Sequence, residues 1–301
     1  MPELPAEGAL LAVDSMPSQA GGCAANVAIV LARQGVTVDL AGCVGADASA
    51  DLLRACLRDA GVDCDRLITV PDRPTSKTVI LLVDGQDRRY IHMFGANTAF
   101  SPRLLDRSWL ASLGVFYLGG LFAMPGVDLA DLAAVLEFCQ AQGVRTVVDV
   151  VLPAGFQAGA AAGLDRVLAH TDYFLPNDDE AAVLTGEREP EAQARAFLTQ
   201  GAGTVVITCG SEGVFAAGDG HAWRGGVYSE MTVVDPSGAG DAFAAGVVTG
   251  IVRGWGLEQA LAYGACLGGS ATRAVGTTAG VMGVAEAEAW IERHPYALRC
   301  L

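Results

Sequence analysis

The residues best able to do chemistry lie in one stretch, Asp235-Pro236-Ser237-Gly238-Ala239-Gly240-Asp241, followed by the apolar run Ala242–Val248. The segment Met231–Val234 predicts a strand leading into this tight turn, and the apolar run predicts a buried helix leaving it. Small residues at Gly238, Ala239 and Gly240 let backbone N–H groups converge, and a helix start adds its positive end. Together they make an anion hole. Asp241 falls in the first helical turn, either as a cap or as a general base beside a bound phosphate. Taken alone, the stretch also reads as a plain Gly-rich turn. It has no Gly-Lys-Ser/Thr ending, which excludes a P-loop. Phe243 stands where a dinucleotide fingerprint needs Gly or Ala.

The elements that must hold this turn follow from the pattern of the chain. Gly21 to Gly35 reads as a Gly-Gly turn, an apolar helix and a Gly stop. Val36–Val44 predicts a strand, and Asp51–Ala60 an amphipathic helix. Lys77–Val83 and Arg89–Phe94 predict two strands joined at Asp84-Gly85, a hairpin signal. Further strands are predicted at 115–118, 146–151, 173–175, 204–208 and 214–217, and helices at 129–142, 191–200 and 257–272. From about residue 100 onward strands alternate with helices, which predicts a parallel sheet covered on both faces. The Ala9–Val13 segment and the hairpin interrupt that rhythm. They predict a small separate sheet, either a lid over the α/β domain or an edge extension or dimer contact.

Composition narrows the function classes. The chain has 301 residues, 51% of them hydrophobic, and a net charge of −15; its mean hydropathy is +0.37. No apolar run reaches the ~18 residues of a membrane span, and no basic stripe exists to neutralise nucleic-acid phosphates. Residues 1–5 lack a basic n-region and an apolar h-region, so a cytoplasmic protein is expected. Lys77 is the only lysine. The eight cysteines include no C-x-x-C pair and the four histidines are scattered, so no zinc or iron–sulfur spacing appears.

Two motifs in this order resemble the ribokinase-like sugar kinases, the PfkB carbohydrate kinase family, over nearly the whole chain. The first is Gly21, Gly22 and Asn26 with Gly35 and Gly45. The second is the Asp-x-x-Gly-Ala-Gly-Asp turn, Asp235 to Asp241. Gly95-Ala96-Asn97, Pro176-Asn177-Asp178-Asp179-Glu180 and Thr208-Cys209-Gly210-Ser211-Glu212-Gly213 match further pieces. The resemblance implies an α/β fold: a ribokinase-like three-layer α/β/α sandwich with a mostly parallel central sheet and a small β lid. It places the lid at residues 1–20 and 75–97, and the nucleotide- and substrate-binding domain at 21–74 and 98–301.

The implied activity is ATP-dependent phosphorylation of a hydroxyl on a sugar-like substrate. Asp241 is the implied base, with Gly238, Ala239 and Gly240 offering N–H groups. Gly21, Gly22, Asn26 and Asn97 would face the small-molecule sugar; Asn26 also reads as a helix cap. Asn177, Thr208, Gly210, Gly213, Gly264 and Ala265 would line ATP. Glu180 would act on Mg2+ indirectly, and Asp235 would help hold K+. Asn177 and Glu180 equally spell a capping box, and Gly264 and Ala265 equally spell small-residue helix packing. Pro236 and Ser237 stand where the family usually has Thr or a small residue; Pro fixes φ without blocking the turn. The resemblance also implies a homodimer through the lid, with no nucleic-acid or membrane partner. A nucleoside kinase, or a non-catalytic nucleotide- or sugar-binding relative, are the other readings.

One departure concerns the start of the chain. Relatives open with an apolar central strand that ends near a sugar-gripping Asp. Here Leu4-Pro5-Ala6-Glu7-Gly8 already resembles the later stretch that leads into the lid. Asp14 lies close to Gly21 and is a poor substitute for that Asp. The first strand is therefore expected to be missing, through a mis-assigned start, a truncation or divergence.

Overall fold

The computed structural model describes Met1 and residues 3–301; Pro2 lies outside the described residues. Helix α1 (Cys23–Arg33) starts directly after Gly22 and is followed by β1 (Gly42–Val44), α2 (Ala48–Asp59) and β2 (Leu67–Thr69). The hairpin strands are β3 (Lys77–Leu81) and β4 (Arg89–Met93). After them come α3 (Arg107–Leu110), β5 (Val115–Leu121), α4 (Leu129–Ala141), β6 (Arg145–Val150), α5 (Leu164–Leu168) and β7 (Tyr173–Leu175). The chain continues through α6 (Asp178–Thr185), α7 (Pro190–Thr199), β8 (Thr204–Thr208), β9 (Val214–Gly218) and β10 (His221–Gly225). It closes with α8 (Ala239–Val252), α9 (Leu257–Ala271), α10 (Val284–Arg293) and β11 (Leu298–Cys300).

The main sheet has seven strands in the order β11-β10-β9-β8-β7-β6-β5. Strands β5 to β8 run parallel, and β9 to β11 extend the sheet antiparallel. Alternation along each strand feeds two cores, because successive side chains point to opposite faces. Phe116, Val148, Phe174 and Ile207 pack with Leu136 of α4 and Phe197 of α7 on one face. Val147, Leu175 and Val206 pack with Val27 of α1, Phe243 of α8 and Leu267 of α9 on the other. The result is an α/β/α sandwich. A third core joins α1 and α2 to β1 and β2.

Three elements differ from the sequence reading. Met231–Val234 forms no strand: the N–H groups of Val234 and Asp235 both donate to Thr272 O, at 2.7 and 3.1 Å, so the segment is tied to a loop. Ala9–Val13 carries no strand pairing among the described residues, and Leu10 is exposed. The predicted strand from Val36 shrinks to Gly42–Val44, with an isolated bridge at Asp39. Among the described residues, β1 pairs only with β2, and β5, at the edge of the main sheet, pairs only with β6.

Candidate active site

The Gly-rich turn is built from a buried acid outward. Asp235 is 2% exposed. Its Oδ1 accepts from Ser237 N–H and its Oδ2 from Gly276 N–H, each at 2.9 Å. Burial pushes this carboxyl up, but those amides outweigh it and hold the group below its ordinary value. Gly238 caps α8 in the left-handed region, φ 78°, and a Cβ there would collide with the Thr277 carbonyl. Only glycine fits both demands. The first backbone bond into α8 runs from Ala242 N–H to Gly238 O, 2.9 Å. The amides of Gly240 and Asp241 precede it and point from the helix start, as an anion site requires.

Asp241 is not a cap: α8 has no side-chain cap bond. Its Oδ2 accepts from Asn26 Nδ2 at 2.7 Å. Burial pushes its pKa up to about 6, against the hydrogen-bond donors of Asn26 and Cys23. Asn26 is not a cap either. It is 3% exposed within α1, and its Oδ1 accepts from Thr277 Oγ1 at 2.9 Å. Gly22, with φ 97°, is the residue before α1, so a second helix N-terminus faces the same place.

Glu180 and Asn177 form a complete capping box on α6: Glu180 N–H donates to Asn177 Oδ1 at 2.8 Å, and Asn177 N–H to Glu180 Oε2 at 2.9 Å. Burial drives the Glu180 carboxyl up to about 7, opposed by the amides of Asn177 and Leu152. Among the described residues no cluster of three His, Cys, Asp or Glu side chains is set to grip a metal alone. Magnesium bound through nucleotide phosphates needs only one or two protein carboxylates, and Glu180 and its neighbours fit that lesser demand.

Gly21, Gly22, Asn26, Asn97, Asn177, Glu180, Asp235, Gly238 and Asp241 all border one cavity of about 2380 Å3, which continues between β1 and β5. Lys77, Arg88 and Tyr90 of the hairpin segment border it too. Thr208, Gly210 and Gly213 sit beyond it, at the end of β8 and the start of β9. Gly264 is buried against α8, where a Cβ would stand 2.9 Å from Phe243 O; Ala265 adjoins it on α9.

Two residues of this cluster escaped the sequence reading. Tyr117 OH donates to Asp149 Oδ2 at 2.8 Å, joining the ends of β5 and β6. Asp149 is held far above the ordinary carboxylate range by burial first and then by the Asp241 charge. The available signal was position: a lone acid at the carboxyl end of an apolar parallel strand points toward the crevice where such sheets bind ligands.

Comparison with known proteins identifies the family and the fold. The description "pfkB family carbohydrate kinase" matches residues 2–282. A 2-dehydro-3-deoxygluconokinase of Bacillus subtilis is 28% identical, over 91% of this chain and 87% of its own length. Arabidopsis thaliana ribokinase, solved with ribose and ATP, superposes with a TM-score of 0.81 at 23% identity, covering 97% of this chain and 93% of that one. A ribokinase II structure from E. coli in complex with ATP and Mg2+ gives a TM-score of 0.79 at 24% identity, covering 96% and 95%. At those identities the two structures speak for the fold.

Proposed function

The chain belongs to the pfkB family of carbohydrate kinases, and from that premise we propose that it transfers the γ-phosphoryl group of ATP to a hydroxyl of a sugar or sugar-like acceptor, with Asp241 as the base. The observation that carries this reading is the pairing of a half-buried carboxylate, Asp241, with the start of α8 at Gly238, both bordering one cavity. Phosphoryl transfer asks a protein mainly for positioning and charge stabilisation.

In this mechanism the acceptor hydroxyl lies against Asp241, whose Oδ2 is held by Asn26. Asp241 takes the hydroxyl proton as the oxygen attacks. The Ala239 N–H donates to Pro236 O at 3.3 Å, so the amides of Gly238 and Gly240 are left to stabilise charge on the transferring group. Gly21, Gly22, Asn26 and Asn97 hold the sugar. Asn177, Thr208, Gly210, Gly213, Gly264 and Ala265 line the path to the nucleotide. Glu180 assists Mg2+, which when bound neutralises phosphate charge. Asp235, clamping Gly276, marks the place where K+ would help fix the turn. Residues 1–20 and 75–97 act as a lid, and the exposed apolar pair of Ile91 in β4 and its cross-strand partner Val79 in β3, 63% and 50% exposed, supplies the dimer contact.

The test is ADP release with Mg·ATP and potassium across pentoses, hexoses, keto-acids and nucleosides, run on the native chain and on Asp241→Asn. We expect one acceptor class to be phosphorylated, and Asp241→Asn to lose about 10²-fold or more of kcat while still binding ATP. A near-normal kcat in the variant would remove Asp241 from the role of base. Turnover confined to nucleosides would replace sugar by nucleoside.

A further inference from the structure

Asp241 is held by a chain of hydrogen bonds that reaches across almost the whole sequence. Thr277 Oγ1 donates to Asn26 Oδ1 at 2.9 Å, and Asn26 Nδ2 donates to Asp241 Oδ2 at 2.7 Å. Each link runs the same way, donor to acceptor, toward the carboxylate, so each bond polarises the next. An Asn amide can present either its oxygen or its nitrogen to a neighbour. Only the nitrogen suits an ionised Asp241, and a hydroxyl donating to the oxygen selects that orientation.

The loop carrying Thr277 is pinned on three sides. Gly276 N–H is held by Asp235 Oδ2 at 2.9 Å. The Thr277 carbonyl abuts Gly238. Arg33 Nη1 donates to Thr278 O at 2.6 Å and to Val281 O at 2.9 Å. A hydroxyl held so firmly needs no reorganisation when the base works.

We propose that Thr277 is a positioning residue for catalysis: its hydroxyl locks the Asn26 carboxamide so that the amide nitrogen faces Asp241 and leaves the other carboxylate oxygen for the acceptor hydroxyl. The same loop thereby couples Asp235 and the turn it organises to the reacting carboxylate.

The groups around Asp241 are Cys23 and Asn26 of α1, Asp149 of β6 with its partner Tyr117 of β5, and Tyr90 of β4; Glu180 of α6 acts through Asp149. None is a cation, so Asn26 and Cys23 are the groups that favour the ionised base. Loss of the Asn26 bond weakens that preference, and the acid limb of the pH profile moves up.

The role rests on Asp241 being the base, and the test separates the two claims. Thr277→Val, Thr277→Ala, Thr277→Ser and Asp241→Asn are assayed together, with Mg·ATP and the best acceptor of the panel. Thr277→Val and Thr277→Ala are expected to lose about 5- to 10-fold in kcat with KM for ATP unchanged. Their acid limb in kcat/KM should rise by about half a pH unit, and Thr277→Ser should restore both. Two removal variants are used so that one misfit of the valine methyls does not decide the result. An unmoved acid limb in the folded removal variants, or failure of Thr277→Ser to restore it, overturns the role of Thr277 when Asp241→Asn is inactive. An active Asp241→Asn overturns the base itself.

Discussion

The two ends of the cavity are built on different terms. On one side, β5 to β11 form a continuous sheet in which each inner strand is paired on both edges. On the other, β1 and β2 form a two-stranded patch, and β3 and β4 a two-stranded hairpin. Val36 N–H closes back on Leu31 O, and the backbone bonds of residues 38–44 to other segments run toward 63–70, as in Leu40 N–H to Asp63 O and Asp63 N–H to Val38 O. Those of β5 run toward β6. The facing edges open onto the cavity, so the first region is tied down by side chains. Trp109 Nε1 donates to Asp39 Oδ2 at 2.7 Å, and Arg66 stacks over the same indole at 4.9 Å. Thr75 Oγ1 donates to Asp47 Oδ1 at 2.6 Å. A sheet shares its backbone bonds among many residues, whereas a patch of this kind depends on a few contacts, and sterically equivalent changes should be felt very differently.

The largest expected contrast comes from glycine. Helices α8 and α9 touch backbone to backbone: a Cβ on Gly246 would stand 2.5 Å from Gly264 Cα. Gly264→Ala has no space to fill, its Cβ standing 2.9 Å from Phe243 O, and should cost about 2 kcal/mol or more, seen as loss of folded protein or a steep fall in the urea midpoint. Gly42 in β1 faces only Leu67 Cδ2 at 3.4 Å, the end of a flexible side chain. Gly42→Ala should stay within about 1 kcal/mol. Equal costs at the two positions would erase the distinction.

These regions were also unequally legible in the sequence. The strands at 173–175 and 204–208 stand where the apolar runs put them, because both are buried on two faces and bounded by turn residues. Helices α8 and α9 were visible as small-residue apolar runs. Strands β10 and β11 were not, since His221–Gly225 mixes charge, aromatic and small residues, and its partner Leu298–Cys300 lies far along the chain. The Gly-rich turn announced itself through residue type. Asn26, Asp149 and Thr277 meet Asp241 or its neighbours through contacts hundreds of residues apart or between adjacent strands, and no local spacing encodes that.

Hydrogen exchange probes the same contrast at a smaller scale. Among the described residues β1 and the bridge at Asp39 have a strand partner on one side only, so opening residues 39–44 breaks fewer bonds than opening β6 to β8. We expect their opening free energy to lie about 2 kcal/mol lower, about 30-fold less protection. Equal protection in the two strand sets would show that the side-chain ties around Trp109 and Asp47 hold the patch as firmly as a second strand partner holds the sheet.

The smallest effect is one of sign, and acid titration reads it. On the large-sheet side, burial raises Glu180 from 4.5 to about 7 and Asp241 from 3.8 to about 6. In the nucleotide-free protein the folded state therefore holds protons that the unfolded chain has released. Stability is highest below the unfolded values and falls as pH rises from about 4 toward about 7. On the patch side, hydrogen bonds from Thr75 hold Asp47 down from 3.8 to about 2. Its contribution is present above the unfolded value and is lost as pH falls from about 4 through about 2. The melting temperature should therefore be higher near pH 5 than at pH 8, and should drop again below pH 4. Asp241→Asn should shrink the first slope to the share of Glu180 and leave the second, while Asp47→Asn should flatten the second and leave the first. A profile that rises steadily from pH 5 to pH 8 would mean that the site carboxylates are not held protonated by burial, and that the two regions do not titrate in opposite directions.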